Sequence, residues 1–285
     1  MPKILKVIEG PTAVGKTSLA IKWALEAGSE IVSADSRQFY KELDIGVARP
    51  SPEELAAVPH HFIADKSIFG YYSVSHYEQE ALALLEELFK RHDTVILAGG
   101  SGLYVNALCK GIDDLPDPDP ALRQRLKDIE SGEGLDALQE MLRKLDPVFH
   151  GKVDLRNPVR LRRALEVCIT TGKPYSTLRT EKAKERPFVM ERYALNRPKE
   201  TLHERIDRRV EAMMQAGLEQ EARALYPHRE LNALQTVGYR ELFAHFDGKS
   251  SLEQAIADIK THTRRYAKRQ LTWLRRQTEI VWLEA

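Results

Sequence analysis

The chain has 285 residues, of which 42% are apolar and 30% charged, and its formal net charge at neutral pH is +1. These values suit a soluble globular chain with a large core, built as one big domain or as one domain with an insertion. They exclude a protein that is basic throughout, so any nucleic-acid surface has to be local.

Two cysteines, Cys109 and Cys168, stand far apart and form no CxxC pair, which argues against a zinc ribbon and for a reducing compartment. No apolar run approaches the ~20 residues of a membrane span. The start, MPKILKVIEG, enters a strand directly and lacks the cleavage region of a signal peptide, so a cytoplasmic protein without membrane contact is expected.

Residues 4–20 read ILKVIEGPTAVGKTSLA. Ile4, Leu5, Val7 and Ile8 predict a short strand, and a helix is predicted to run on from Ser18. Between them, Gly10, Pro11, Thr12, Ala13, Val14, Gly15, Lys16 and Thr17 satisfy the phosphate-binding pattern of Gly, four residues, then Gly-Lys-Thr. Gly10 and Gly15 let the backbone curl into a nest of amides, and the helix N-terminus adds partial positive charge. Lys16 supplies a point charge for phosphoryl oxygens, and the Thr17 hydroxyl can sit on Mg²⁺. The loop predicts a phosphate or diphosphate ligand without saying whose.

Ile31 and Val32 predict a second buried strand, ending at Ser33-Ala34-Asp35-Ser36. Ligands of open α/β sheets lie beyond the carboxyl ends of strands, so Asp35 is expected near the phosphate loop. Capping the next turn is an equally good role for Asp35 or Ser36, and the two roles are compatible. Pro50 and Pro52 mark a loop, and residues 59–67 read as strand and turn. An amphipathic helix follows, with Tyr77, Ala81, Leu84, Leu85 and Leu88 inward and Glu78 outside the stripe. His60, His61 and His76 read as loop or cap residues, since no acid–His cluster has metal-ligand spacing. Thr94 to Ala98 predicts a fully apolar parallel strand. It runs into Gly99-Gly100-Ser101-Gly102, where a nucleotide hydrolase would carry an acid for Mg²⁺. The glycines weaken the case for ATP hydrolysis and predict a backbone that a ligand approaches closely.

A Pro/Asp-rich break at 113–120 opens a helical segment. Helices are predicted over 121–131 and 134–145, and from Pro158, where Arg160, Arg162 and Arg163 fall on the first turns. Residues 179–187 read as a charged linker and 188–196 as a returning strand. The expected organisation is an α/β fold: a phosphate-loop parallel-sheet core flanked by helices, formed by 1–112 and 188–285, with an α-helical insertion domain at 113–187. A long helix from Lys199 buries Leu202, Ile206, Val210, Met213 and Met214 and puts Arg205 and Arg209 on one face. Residues 233–246 read as a turn and helix. The stretch 260–276 carries seven basic residues and no acid, with Tyr266 and Trp273 interleaved. Alone it reads as a surface helix with a core-facing aromatic stripe; together with the basic stretch at 152–163, a polynucleotide surface explains it better.

GPTAVGKT, SADSRQFYKELDIGVARP, AGGSGLY, NPVRLRRALEV, VGYREL and RRYAKRQLTWLRR, in that order, resemble the tRNA dimethylallyltransferase family over nearly the whole chain, from Gly10 to Arg276. The resemblance implies that N6 of adenine 37, next to the anticodon of a tRNA, attacks C1 of dimethylallyl diphosphate and releases diphosphate. Implied with it are Mg²⁺ as cofactor, the tRNA anticodon stem-loop as partner, and a monomer. The loop Gly10–Thr17 would then hold the prenyl diphosphate rather than ATP. The resemblance makes Asp35 the general base, has Lys16 and Thr17 hold the leaving group, and makes Arg209 a second clamp, with Arg205 the other candidate. For tRNA contacts it points to Asp35, Ser36, Arg37, Gln38, Ser101, Arg123, Val159, Arg160, Leu161, Arg162 and Arg163. It also points to Gln235, Gly238, Tyr239, Arg240, Arg265, Lys268, Arg269 and Trp273. One departure is Ser101, where the family often has Thr; the hydroxyl is kept, so only a change of packing is expected.

Three other readings share the loop. Isopentenyl transfer to free adenine nucleotides needs neither the insertion nor the basic tail. A small-molecule phosphate-loop kinase would use ATP and would not need a basic, aromatic C-terminal helix. A non-enzymatic RNA-binding switch would bind nucleotide tightly and leave the RNA unchanged.

Overall fold

The computed structural model describes residues 2–180 and 182–285. Strands β1 (Ile4–Glu9), β2 (Ile31–Ser33), β3 (His60–His61), β4 (Thr94–Gly99), β5 (Val189–Asn196) and β6 (Val281–Glu284) form one sheet in the order β3-β2-β4-β1-β5-β6. Every pairing is parallel. A parallel sheet is covered on both faces, which is why these strands read as unbroken apolar runs. Leu5, Val7, Val32, Val95 and Leu97 pack on one side with Tyr77, Leu85 and Leu88. Their neighbours Ile8, Ile31 and Ile96 pack on the other with Ala20, Leu202 and Ile206.

The first helices are α1 (Lys16–Ala27), α2 (Pro52–Ala57), α3 (Val74–Arg91) and α4 (Gly102–Lys110). Gly15 starts α1, and Gly28, in the left-handed region, ends it by donating its N–H to Ala24 and Leu25 carbonyls. Ser73 caps α3 by accepting from the His76 amide. One expectation fails here. Glu78 is buried on α3, where its carboxylate meets Arg186 Nη2 at 2.5 Å. Arg186, expected in a charged linker, also donates to the Ala107 and Leu108 carbonyls and ties down the end of α4.

Two compact units divide the chain: one runs up to Cys109 and resumes at Glu185, the other is Lys110–Lys184. The second holds α5 (Pro120–Glu133), α6 (Leu135–Leu145), α7 (Pro147–His150), α8 (Pro158–Thr171) and α9 (Tyr175–Leu178). Its core is Leu126, Leu138, Leu142, Phe149, Leu161, Ala164 and Leu165. The wholly buried Asp146 carboxylate accepts from the Phe149 and Ser176 amides and the Ser176 hydroxyl, which offsets its desolvation.

The first unit continues with α10 (Lys199–Gln215), α11 (Leu218–Leu225), α12 (Tyr239–Phe246) and α13 (Leu252–Leu274). On α10, Leu202, Ile206 and Val210 are buried as predicted; Met213 and Met214 are only partly covered, at the edge of a cluster built on Leu218, Tyr239, Leu242 and Ile259. No described helix is long and apolar enough to cross a membrane.

Candidate active site

The loop between β1 and α1 has the curled shape its sequence predicts. Gly10 and Gly15 have φ of 151° and 114°, and Ala13 takes φ 65° although it carries a side chain. Lys16 Nζ folds back onto the Gly10 and Pro11 carbonyls, 3.0 Å from each. Burial pushes its pKa down to about 8; nearby Arg209 pushes the same way, against Asp35 and Glu9.

Side chains from far along the chain hold this loop. Gln270 Oε1 accepts from the Thr12 amide at 2.9 Å. Arg205 Nε donates to the Ala13 carbonyl at 2.7 Å, and Arg197 Nε to the Val14 carbonyl at 2.8 Å. Arg209 Nη1 stands 3.4 Å from Thr12 Oγ1. Burial and the neighbouring Arg205 charge lower the pKa of Arg209.

Asp35 follows β2, whose end is fixed by the Ala34 amide donating to Ala98 at 2.8 Å. Its Oδ1 accepts from the Arg37 amide at 3.1 Å, so the carboxylate does cap the next turn. The Ser36 amide donates to Ser101 Oγ at 2.9 Å, and the Ser101 hydroxyl donates to Ser36 Oγ at 3.1 Å. The hydroxyl kept at position 101 therefore joins the ends of β2 and β4.

The glycines at the end of β4 and beyond it have a packing reason. A Cβ on Gly99 would collide with the Ala34 carbonyl, one on Gly100 with Gln270 Nε2, and one on Gly102 with the Trp273 indole. They admit protein closely, and the same glycines also line two cavities.

A cavity of about 790 Å³ is lined by Thr12, Ala13, Gly15, Lys16, Thr17, Asp35, Arg37, Gln38, Arg205, Arg209 and Gly238. A second, of about 370 Å³, is lined by Glu9, Ser36, Ser101, Tyr104, Arg269 and Trp273. Gly99, Tyr266 and Gln270 belong to both walls. Burial and the Asp35 charge push the Tyr266 hydroxyl up to about 12, so it stays protonated and able to donate.

Several predicted contact residues are placed differently. Tyr239 is buried: its ring lies against Gly46, and its hydroxyl donates to Glu221 at 2.6 Å. Glu221 also accepts from the Asp44, Ile45 and Gly46 amides, fixing a turn in the wall of the larger cavity. Tyr239 is thus a prop for that wall, not a surface for RNA. Gly238 is buried too, its amide donating to Glu241. In the helical unit, Leu161 is buried in the core, because a helix carries it onto the face of Ala164 and Leu165 rather than that of its basic neighbours. Arg123 forks onto Glu166, Arg162 pairs with Glu130, and Arg163 donates to the Pro116 carbonyl. Val159 and Arg160 are exposed.

Gln38 donates to the Val47 and Ala48 carbonyls, and Gln235 to that of Arg229. Of the basic tail, Lys260 pairs with Glu211 and Arg264 with Asp207; Arg265, Lys268, Arg269 and Trp273 are exposed, as is Arg240. Sequence reasoning missed Gln270, Arg197 and Glu221, whose partners lie too far along the chain to leave a local pattern.

A parallel sheet with a cationic cradle beyond its central strand and a carboxylate beside it defines an α/β protein of the phosphate-loop class. The family description for IPP transferase matches residues 38–277. The chain is 51% identical over 284 residues to the tRNA dimethylallyltransferase of Christiangramia forsetii, covering 100% of this chain and 94% of that protein. It is similar in structure to the full-length tRNA isopentenylpyrophosphate transferase of Bacillus halodurans, with TM-score 0.70 and 35% identity over 100% of this chain and 90% of that one. It is also similar to a eukaryotic dimethylallyltransferase acting on tRNA, with TM-score 0.81 and 28% identity over 99% of this chain and 74% of that one. The chain belongs to the IPP transferase family.

Proposed function

We propose that this protein transfers the dimethylallyl group of dimethylallyl diphosphate to N6 of adenine 37 in tRNA, next to the anticodon. The observation that carries the reading is the shared wall of the two cavities. The larger holds the cationic loop and Asp35; the smaller opens past Ser36 and Ser101 to the exposed basic face of α13. Donor and acceptor reach one centre from two sides.

The adenine N6 amine is a weak nucleophile, because its lone pair is delocalised into the ring. The reaction therefore depends on neutralising the leaving group and removing a proton. N6 attacks C1 of the donor, and the C1–O bond breaks with its electron pair going to the diphosphate. Lys16, Arg209 and the loop amides receive that charge. Arg209 suits the clamp better than Arg205, whose Nε is engaged by the Ala13 carbonyl. Asp35 takes the N6 proton on the carboxylate oxygen that does not cap Arg37. The adenine has to leave its stack to reach this point. Phosphate contacts to Arg265, Lys268 and Arg269 hold the loop in register, and Trp273 offers a stacking face.

The residues fit a Mg²⁺ carried chiefly by diphosphate oxygens. Thr17 offers a hard hydroxyl oxygen, and among the described residues no group of three His, Cys, Asp or Glu is placed to cage a metal. When bound, the ion adds neutralising charge to the leaving diphosphate. We further propose that the helical unit contacts tRNA through its exposed Val159–Arg160 turn, and that the protein acts as a monomer in the cytoplasm. Two buried cysteines outside any disulfide suit that compartment.

Mass spectrometry of tRNA after incubation with dimethylallyl diphosphate and Mg²⁺ tests the reading. A gain of one dimethylallyl group on adenine 37 is expected. Modification of free adenine nucleotides but not tRNA, or phosphoryl transfer from ATP, would overturn it.

A further inference from the structure

We propose that Gln270 is a positioning residue: it locks the phosphate loop in its anion-binding shape and fastens it to the helix that carries Arg265, Lys268 and Arg269. The proposal rests on the reading above only in taking a diphosphate as the ligand of the loop.

Gln270 is 9% exposed, and a buried amide is stable only when both of its ends are bonded. Here one rigid amide bridges two loops of the site. Oε1 accepts from the Thr12 amide at 2.9 Å, and Nε2 donates to the Gly100 carbonyl at 2.8 Å. The glycine turn is cut to receive it, since a Cβ on Gly100 would stand 2.5 Å from Nε2. Three residues further along α13, Trp273 fills the space that a side chain on Gly102 would take. The helix is thus seated on the turn at two points about one helical turn apart.

Why the loop needs such a lock follows from Ala13. Its φ of 65° lies in the left-handed region, which an L-residue with a side chain resists. Such a conformation persists only where the surroundings over-determine it. Gln270 grips the amide of the residue before Ala13, and Arg205 grips the carbonyl of Ala13 itself. Without the Gln270 acceptor, Thr12 N–H loses its partner and the loop relaxes away from the curl that converges its amides on an anion. Glutamine is suited to this because it presents one acceptor and one donor on a single plane. Methionine has similar volume and does neither job well.

The test compares Gln270→Met, Gly100→Ala and the double variant with wild type. Folding is checked by thermal melting. Binding of magnesium diphosphate without RNA, and of an anticodon stem-loop RNA without diphosphate, is measured by calorimetry. Gln270→Met is expected to raise the Kd for magnesium diphosphate about tenfold, equivalent to about 1.4 kcal/mol, with the stem-loop Kd changed less than about twofold on the same scale. Gly100→Ala, which displaces the amide from its other side, is expected to do the same. The double variant should be no worse than either single one, because both remove one contact. If Gln270→Met does not fold, Gly100→Ala carries the test alone. Unchanged diphosphate affinity in folded variants overturns the proposal, as do additive losses. A loss confined to stem-loop binding also overturns it, since Gln270 would then be an RNA contact. Wild type that binds magnesium diphosphate but transfers nothing overturns the function and leaves the lock standing; wild type that binds none overturns both.

Discussion

In the helical unit, the inward-turned arginines meet carboxylates: Arg123 and Arg163 face Glu166, and Arg162 faces Glu130. In the sheet unit, Lys16, Arg197 and Arg205 meet backbone carbonyls, and Arg209 a hydroxyl. No salt bridge among the described residues engages any of these four. A cation matched by a carboxylate has its charge cancelled within the protein and serves packing and geometry. A cation held by neutral oxygens is oriented but keeps its field, and the low local dielectric strengthens that field. The sheet unit has carboxylate-paired arginines as well, Arg186 with Glu78 and Arg192 with Glu9, so it is the four cations around the loop that stand apart, and the difference marks where an anion belongs.

The largest expected effect comes from the carboxylate beside the cradle. Asp35→Ala should lower kcat for transfer about a thousandfold, within the range for a lost general base, and change stem-loop affinity far less. Rapid-quench turnover and equilibrium binding measured together check this, and equal losses in both would sink the general-base role. Next is Lys16→Met, expected to reduce kcat/KM by about a hundredfold or more. Its pH dependence sharpens the point. With the Lys16 pKa at about 8 in the ligand-free site, the ammonium is in place below pH 8 and is lost as pH rises through it. Diphosphate affinity should therefore hold below pH 8 and fall above it, and the Met variant should lack that fall. A limb that survives in the variant belongs to another group.

In the helical unit the effect falls on stability. Leu161→Ala should cost about 2–5 kcal/mol and weaken hydrogen-exchange protection of α8, whereas Val159→Ala, at an exposed site, should not. An effect of Leu161→Ala on RNA affinity with protection intact would restore it as a contact. The smallest effect is on the basic helix. Replacing Arg265, Lys268 and Arg269 with Gln should lower the slope of log Kd against log salt by about two to three units, one per lost phosphate contact at most. An unchanged slope counts against that face as an RNA surface.

How much of this was legible differs by kind of signal. The loop from Gly10 to Thr17 and the strands at 4–8 and 94–98 could be read because contiguous residues encode them. Asp35 was found because strand ends point at ligands. Gln270 was not, since its partners Thr12 and Gly100 stand 258 and 170 residues away, and no periodicity reports such a distance. Leu161 was misjudged for a local reason. It lies among arginines in sequence, but its spacing to Ala164 and Leu165 puts it on the apolar face, and the basic composition obscured that stripe. Tyr239 and Glu78 teach the same lesson about polar atoms. A hydroxyl or carboxylate does not reveal from sequence that a buried partner waits for it.

The grip of Gln270 on Thr12 also sets an order of assembly during synthesis. The lock leaves the ribosome 258 residues after the loop. At about 5–20 residues per second, the interval is about 13–50 s. Arg197, Arg205 and Arg209 follow their loop partners by 183, 192 and 197 residues, so their contacts come within reach first and that of Gln270 last. The loop sequence is therefore made well before the contacts that hold its curl are complete.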